Sequence, residues 1–230
     1  MIISYHRQFI FIKTVKVAGS SLEFALCQHC GAHDIFFPEA ALREQLPPPS
    51  QRTRTRPPDV QHKHMFHQRV GHTPAKEIAR VLGDDLFRRF LKISVTRNPF
   101  DTVVSHYAWL RRSEGEAYLM VRDNFIEWFW QHRCHVLHYN RRLCTLVEPY
   151  DAVDFMVRYE SLERDLHRLS LRLGLAENLY RVFMHIKEKG HFRPRGLTAR
   201  HCFEDFDDGI VSVKRHAAVE CARFGYDVPF

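Results

Sequence analysis

Residues 7–30 read RQFIFIKTVKVAGSSLEFALCQHC, and this stretch decides the fold. The consecutive apolar residues at 9–12 predict a buried strand within 7–14, because a strand covered on both faces needs no polar alternation. A turn at 15–19 follows, and apolar residues at helical spacing then predict a helix over 20–30. A strand, a glycine-containing turn and a helix in this order open many α/β nucleotide-binding domains.

The rest of the chain continues the alternation of strands and helices. Further strands are predicted at 90–96 and 153–158, and further helices at 74–82, 99–112, 124–132, 161–173 and 208–224. Residues 190–208 show no regular pattern. Strands that alternate with helices favour a parallel sheet covered on both faces. We therefore expect an α/β fold of three layers, a central parallel sheet flanked by helices, in a single domain of residues 1–230.

Two of the predicted helices begin with capping signals. Thr73 is expected to be the N-cap of the helix at 74–82, with Pro74 in its first turn and Glu77 near the capping-box position. Asn98 is expected to cap the helix at 99–112. Aromatic residues of the helix at 124–132 are expected in the core; they are Phe125, Trp128 and Phe129.

The composition indicates an ordinary core and a basic surface. Hydrophobic residues make up 45% of the chain, and 34 Lys and Arg against 27 Asp and Glu give a net charge of +7. This charge suits an anionic partner such as a nucleotide, a sulfated glycan, a membrane surface or nucleic acid. No apolar run approaches the roughly 18 residues of a membrane span, and no signal peptide is evident. We expect a soluble cytoplasmic protein, or a soluble domain of a longer one.

The cysteines predict reduced thiols and no metal site. Six cysteines are scattered along the chain, and Cys27 and Cys30 form its one C-x-x-C. Together with His33 they offer three ligands of the kind that zinc accepts, but no second pair stands at zinc-finger spacing. We favour packing within the helix as the role of these two thiols.

The turn after the first strand has the chemistry of a phosphate site. Gly19 permits a tight turn, and the N–H groups at the start of the following helix attract anions. Ser20 and Ser21 add hydroxyl donors, and Lys16 supplies a positive charge that can stabilise a leaving group. The stretch is not a Walker A loop, because Lys16 precedes Gly19, and no acid for Mg²⁺ is evident.

A second candidate anion site follows the strand at 90–96. Arg97 ends the strand, Asn98 and Pro99 begin a helix, and Ser105 lies eight residues beyond Arg97. An arginine at a strand end can clamp a phosphate with two hydrogen bonds. A serine two turns into the helix can face the same group.

The two stretches together resemble sulfotransferases that use 3′-phosphoadenosine-5′-phosphosulfate (PAPS). The segment FIKTVKVAGSSLE is similar to the family's 5′-phosphosulfate loop, with Val15 where the family commonly has proline. The resemblance implies a P-loop-like fold. It also implies that the loop residues bind the 5′-phosphosulfate; these are Lys16, Gly19, Ser20, Ser21 and Leu22. Lys13, which precedes the turn, is a weaker candidate for a second cation.

The resemblance also assigns the other end of the donor. It implies that Arg97 and Ser105 bind the 3′-phosphate of PAPS, and that a late basic loop with Arg193 and Arg195 closes over this phosphate. Residues 157–162 (VRYESL) and 224–226 (FGY) are similar to structural segments of the family. The likeness runs from about residue 8 to 227 and is nearest to the carbohydrate-type and bacterial branches.

The catalytic base is the hardest role to assign, because the chain has 16 histidines. A base must take the proton of the acceptor hydroxyl. We favour His72, in a G-H-x-P-A segment similar to bacterial members, with His67 as second choice and Glu77 as third. A metal site of His62, His64 and His67 is a further alternative, but no acid completes the set. His132, His135 and His138 are candidates for the acceptor pocket or the surface; they stand in a basic aromatic segment.

The sequence thus predicts transfer of a sulfuryl group from PAPS to a hydroxyl acceptor, with a carbohydrate as one candidate, release of 3′-phosphoadenosine-5′-phosphate (PAP) and no metal. Two alternatives remain open: a nucleotide kinase or NTPase, and a non-enzymatic module that binds nucleic acid or sulfated glycan. The segment at about 47–60, with five prolines and three arginines, is expected to be a flexible loop. The insertions at 44–70 and 112–150 carry no motif that identifies the acceptor or the oligomeric state.

Overall fold

The computed structural model describes residues 1–36, 71–113, 122–132, 134–186, 193–194 and 196–230. Their strands are β1 (Ile2–Ser4), β2 (Phe9–Ile12), β3 (Ile35–Phe36), β4 (Leu91–Thr96) and β5 (Phe155–Arg158). Their helices are α1 (Gly19–Cys27), α2 (Ala75–Leu82), α3 (Asp84–Arg89), α4 (Pro99–Ser113), α5 (Arg122–His132), α6 (His135–Leu143), α7 (Leu162–Arg172), α8 (Leu179–His185), α9 (Ala199–Phe203), α10 (Asp207–His216) and α11 (Ala218–Phe224), with a 3-10 helix at Tyr159–Ser161.

The chain forms two compact units. The first unit comprises Met1–Thr96 and Arg142–Glu188, and the second comprises Arg97–Arg141 and Lys189–Phe230. The boundary between the units falls directly after β4. The turn after β2 therefore belongs to the first unit, and Arg97 with the helix that follows it belongs to the second. Of the described helices, none combines the length and the apolar character needed to cross a membrane.

The sheet of the first unit is mixed, which corrects the expectation of a parallel sheet. The strand order is β3-β1-β2-β4-β5, and β2, β4 and β5 run parallel as the sequence predicted. β1 instead pairs antiparallel with both β2 and β3. Only residues 5–8 join β1 to β2, and so short a connection can form a hairpin but not the crossover that parallel strands require.

One face of this sheet packs against α1, α7 and α8. Phe9 and Phe11 of β2 and Val157 of β5 are buried there with apolar side chains of the three helices. Each large side chain removed from water in this way contributes roughly 1.5–3 kcal/mol. The packing holds β2 and α1 firmly, and these two elements bracket the first predicted phosphate turn.

The second unit is built on aromatic side chains. Phe125, Trp128 and Phe129 of α5 are buried, which confirms their predicted place in the core. Phe203 of α9 packs edge-on against Phe125 and against Phe100 of α4, with ring centroids 5.1 Å apart in both pairs. These contacts fix α4, the helix that begins beside Arg97.

Several predicted boundaries need correction. The N-cap of α2 is Pro74 rather than Thr73, and no side chain caps this helix. The predicted helix at 208–224 is two helices, α10 and α11, which meet at Ala217. Residues 190–208 were expected to be irregular, yet they contain α9. The basic loop expected at about 47–60 lies outside the described residues.

Candidate active site

The turn between β2 and α1 closes tightly on its own backbone at Gly19. A Cβ at this position would lie 2.8 Å from the carbonyl oxygen of Thr14, closer than atoms can normally approach. Lys16 and Ala18 have left-handed backbone angles, with φ of 64° and 66°. Such angles are unfavourable for residues with side chains and are often found at ligand sites. The glycine is therefore required for space inside the turn itself.

Two hydrogen bonds connect the end of β2, where this turn begins, to β4. The hydroxyl of Thr14 donates to the carbonyl of Val95 at 2.6 Å. The hydroxyl of Ser94 donates to the carbonyl of Ile12 at 2.8 Å. Both bonds are buried, where a hydrogen bond is expensive to break. The end of β2 is thereby held in a fixed place, and the turn starts from a rigid support.

No side chain caps the N-terminus of α1. Its N-cap is Ala18, whose methyl group forms no capping hydrogen bond, and its first turn contains no acidic residue. Helix starts of this kind present N–H groups that favour negative charge. Ser20 and Ser21 are half-buried at this end, whereas the side chain of Leu22 is buried in the core. Leu22 anchors the helix, and its assignment to the donor site stays a prediction.

His72 lies beside the start of the same turn. Its Nδ1 is 2.8 Å from the carbonyl oxygen of Lys13. A carbonyl only accepts hydrogen bonds, so Nδ1 carries the proton and the lone pair of the neutral ring is on Nε2. Burial lowers the pKa of His72, the bond to the Lys13 carbonyl partly opposes this, and the charge of Lys13 adds to the lowering. The ring is accordingly neutral at pH 7, as a general base must be.

Lys13 is not available as a second cation for a ligand. Its side chain is buried, and its Nζ donates to Oε2 of Glu23 at 2.6 Å. Glu23 is buried as well and also accepts a hydrogen bond from the amino group of Met1. The ammonium group of Lys13 is thus bound within the protein. Lys16 therefore remains the candidate for the catalytic cation in the turn.

In the second unit, Asp101 contacts two of the predicted phosphate ligands. Its Oδ1 lies 2.8 Å from Nη1 of Arg193 and 3.7 Å from Nη2 of Arg97. The Nε of Arg193 also donates to the carbonyl of Leu197. Arg97 and Arg193 thus meet at the same carboxylate, their binding to a 3′-phosphate stays a prediction, and Arg195 lies outside the described residues.

The helix that follows Arg97 begins as predicted. The side chain of Asn98 accepts a hydrogen bond from the backbone N–H of Phe100 at 3.0 Å, which confirms its capping role. Its amide also donates to the carbonyl of Asp227 at 2.8 Å. Ser105 lies on α4, half-buried, two turns from the start of the helix. Its contact with a 3′-phosphate stays a prediction.

The remaining candidates differ in their surroundings wherever the structure describes them. His62, His64 and His67 lie outside the described residues, and Glu77 is half-buried in the first turn of α2. The other histidines singled out have different surroundings: His132 stacks on Trp128, His135 is exposed, and His138 lies 2.8 Å from the ring of His216. Across the residues that the structure describes, no three His, Cys, Asp or Glu side chains come together as a metal site.

The C-x-x-C at the end of α1 is part of the helix packing. Cys27 and Cys30 are buried, and the thiol of Cys30 faces the carbonyl of Leu26 at 3.6 Å. His33 is exposed. All six cysteines are free thiols, which agrees with the expectation of reduced cysteines.

Two residues of the candidate site, Glu23 and Asp101, were not predicted from the sequence. Glu23 stands inside the apolar run at 22–26, and a carboxylate in that setting is a signal of a buried ion pair. Asp101 stands in the first turn of α4, four residues after Arg97, and side chains at this spacing can meet at the start of a helix. Neither signal identifies Lys13 as the partner of Glu23 or Arg193 as the second partner of Asp101, because these residues lie 10 and 92 positions away across a turn or between elements.

The fold and the two sets of residues define a class of protein. In the first unit, a neutral histidine lies beside a turn with the features of an anion site, and a group-transfer enzyme needs groups of this kind to hold an anionic donor and deprotonate an acceptor.

Comparison with known proteins specifies the family. The chain belongs to the sulfotransferase family, whose profile matches residues 1–201 and so continues through both units. An uncharacterized protein of Archaeoglobus fulgidus is 31% identical over 106 residues, which is 46% of this chain and 86% of that protein. No solved structure matches the chain. Family membership confirms the resemblance and supports sulfuryl transfer as the reaction class.

Proposed function

We propose that this chain transfers the sulfuryl group of PAPS to a hydroxyl-bearing acceptor and releases PAP. The observation that carries the proposal is the anchoring of His72 to Lys13, which puts a neutral imidazole beside a turn with the features of an anion site. We further propose that residues 1–230 act as one sulfotransferase domain with a P-loop-like core. As proposed, the reaction uses no metal.

The turn after β2 is proposed to bind the 5′-phosphosulfate. The uncapped start of α1 offers N–H groups, and Ser20 and Ser21 offer hydroxyl donors. Lys16 is proposed to stabilise the negative charge that develops on the bridging oxygen as PAP leaves. The rigid, glycine-closed turn supports this role, because preorganised donors need no rearrangement during the reaction.

The 3′-phosphate is proposed to bind to Arg97 and Ser105, with Arg193 as an additional cation. Asp101 keeps the guanidinium groups of Arg97 and Arg193 close to each other before the donor arrives. A phosphate dianion is a stronger partner for two arginines than one carboxylate. Arg97 and Arg193 would thereby bind PAPS in preference to adenine nucleotides that lack a 3′-phosphate.

The transfer itself is proposed to be an in-line displacement at sulfur. The acceptor oxygen forms a bond to sulfur while the bond from sulfur to the 5′-phosphate oxygen breaks. The acceptor proton moves to Nε2 of His72, and PAP departs with the electron pair of the broken bond. The net charge of +7 suits an acidic acceptor, and we propose a carbohydrate of the kind used by the carbohydrate-type branch.

Donor specificity is tested by calorimetric titration with PAP and with AMP, which lacks the 3′-phosphate. Wild-type protein should bind PAP more tightly than AMP. Arg97→Ala should lose about tenfold or more in PAP affinity, the scale of a charge-assisted hydrogen bond, and keep its affinity for AMP. Arg215→Ala removes an exposed arginine of the same unit and should change neither.

The same titration separates the competing functions. Absence of PAP binding by folded wild-type protein would overturn the proposal. Magnesium-dependent hydrolysis of ATP would then favour a kinase or NTPase. Binding to nucleic acid or sulfated glycan with a steep salt dependence and no effect of nucleotide would favour the non-enzymatic module.

The catalytic roles are tested by turnover of PAPS to PAP with candidate glycan acceptors. Lys16→Ala and His72→Ala should fold normally and lose at least about 100-fold in kcat, because general base catalysis alone contributes 10²–10⁴-fold. Lys76→Ala and His33→Ala remove exposed residues and serve as matched controls. Normal turnover by the Lys16 or His72 variant would refute the corresponding role.

A further inference from the structure

Lys13 makes contacts with three separate parts of the first unit. Its backbone carbonyl holds Nδ1 of His72 at 2.8 Å, and its ammonium group binds Glu23 of α1 at 2.6 Å. Between these ends, the Cγ of Lys13 lies 3.2 Å from the point where a Cβ of Gly19 would be. One residue therefore touches the base, the turn and the helix that follows the turn.

We propose that Lys13 is a positioning residue that links His72 to the turn and to α1, with Glu23 as its counter-charge. Its part in catalysis rests on the function proposed above, but the link itself is a property of the resting protein. The sequence suggested that this lysine could be a second cation for the ligand. The structure assigns its charge to the interior instead.

The Lys13 side chain adds to the close packing at Gly19, where the carbonyl of Thr14 already leaves no room for a Cβ. The hydrocarbon part of the side chain passes directly under Gly19, and the ammonium group reaches a carboxylate four residues further along α1. A lysine can follow such a path because its long flexible stem packs as an apolar group and its end carries the charge. Because the side chain of Lys13 packs against Gly19, a shift of the turn would move Lys13. The carbonyl of Lys13, which holds His72, would move with it.

The ion pair also controls the electrostatic environment of the base. Both side chains of the pair are buried, so the ammonium group of Lys13 depends on Glu23 for compensation of its charge, while Glu23 is shared between Lys13 and the amino group of Met1. The charged groups that act on His72 are Lys13 at the end of β2, the amino group of Met1 and Glu23 of α1. The two cations favour the neutral imidazole and Glu23 favours the protonated one.

Two single variants should therefore move the pKa of His72 in opposite directions. Lys13→Met removes a positive charge and keeps the stem, so the pKa should rise. Glu23→Gln removes the negative charge, so the pKa should fall. The double variant Lys13→Met/Glu23→Gln removes both charges and should return the pKa toward that of wild type. A contact that only supported the fold would not give shifts of opposite sign.

The measurement is an NMR titration of protein labelled with ¹³C and ¹⁵N in histidine. His72→Gln identifies the signal of His72, and the ¹⁵N shifts of wild type should show the proton on Nδ1. The experiment needs no substrate, so it remains informative if PAP does not bind. In that case the proposed function fails while the link can still be confirmed.

The outcomes that overturn the inference are equally direct. A wild-type signal with the proton on Nε2 would show that the Lys13 carbonyl does not hold the ring. Shifts of the same sign, or none, in folded single variants would exclude the ion pair as the control of His72. If the single variants do not fold, the tautomer of wild type and of the double variant still decides whether the link exists. If sulfuryl transfer is confirmed, the acid limb of kcat/KM against pH should move with the pKa in each variant.

Discussion

Replacement of Gly19 by alanine should distort the turn proposed to hold the phosphosulfate. The new Cβ would lie 2.8 Å from the carbonyl oxygen of Thr14, where ordinary contact begins at 3.4 Å. Because the obstructing atom belongs to the backbone, the turn must move by several tenths of an ångström. Strain of this kind typically costs about 1–3 kcal/mol of folding free energy.

The same movement should weaken the donor site. A hydrogen bond to a charged group is worth about 1.5–3 kcal/mol, so a shift of the turn that loses one such bond to the anion should cost about tenfold or more in affinity. The expected result for Gly19→Ala is therefore about tenfold weaker binding of PAP, measured by calorimetric titration. The loss of stability is measured by urea unfolding of the same protein.

A second glycine provides the matched control. A Cβ at Gly209 would lie 2.3 Å from the ring of Phe206, in the aromatic core of the second unit. Gly209→Ala should lose stability to at least the same degree and keep its affinity for PAP. If Gly19→Ala retains both the stability and the PAP affinity of wild type, then the turn is not closed in the way described and the reasoning fails.

Three further predictions concern stability and pH. Asn98→Ala should destabilise the protein by about 2 kcal/mol in urea unfolding, because it loses a helix cap and a hydrogen bond to the carbonyl of Asp227. Asn98→Asp should keep the cap and lose only the bond to Asp227, so its loss of stability should be about half as large. Burial acts to raise the pKa of Asp165, but hydrogen bonds from Arg158 and neighbouring groups outweigh it and hold this pKa below its usual value. The stability that Asp165 adds is therefore complete above the unfolded pKa of about 3.8 and lost as the pH falls through the folded pKa, and acid unfolding of Asp165→Asn should lack this component. Because burial lowers the pKa of His72, the acid limb of kcat/KM should lie below about pH 6.5, and a limb above that value would argue against His72 as the base.

Local sequence signals gave correct predictions where the decisive contacts lie between residues close together in the chain. β2, the turn and α1 occur in the predicted order, and Asn98 caps α4 as predicted. In both cases the decisive contacts lie within a few residues: a buried apolar run, a glycine with no room for a Cβ, and an amide that reaches the next turn of backbone.

The predictions failed where the partner is distant in the chain. The antiparallel β1 was missed because its short apolar run carries no alternation, and its direction depends on the hairpin with β2. The final helix divides at Ala217, where no glycine or proline marks the break. α3, α6 and α8 were also not predicted, and short helices depend mainly on the surface that they cover.

The sequence alone determined the order of β2, α1, β4, α4, β5 and α7, the parallel strands at the centre and the residue types of a candidate anion site, because these follow from periodicity, turn chemistry and charge. The tertiary structure decided which side chains those residues meet. It paired Lys13 with Glu23, so that the ammonium group of Lys13 is not available to a ligand. It fixed the tautomer of His72 through the carbonyl of Lys13, 59 positions earlier in the chain. It also placed Arg193 beside Asp101. These contacts depend on distance and burial in space, which no spacing along the chain records.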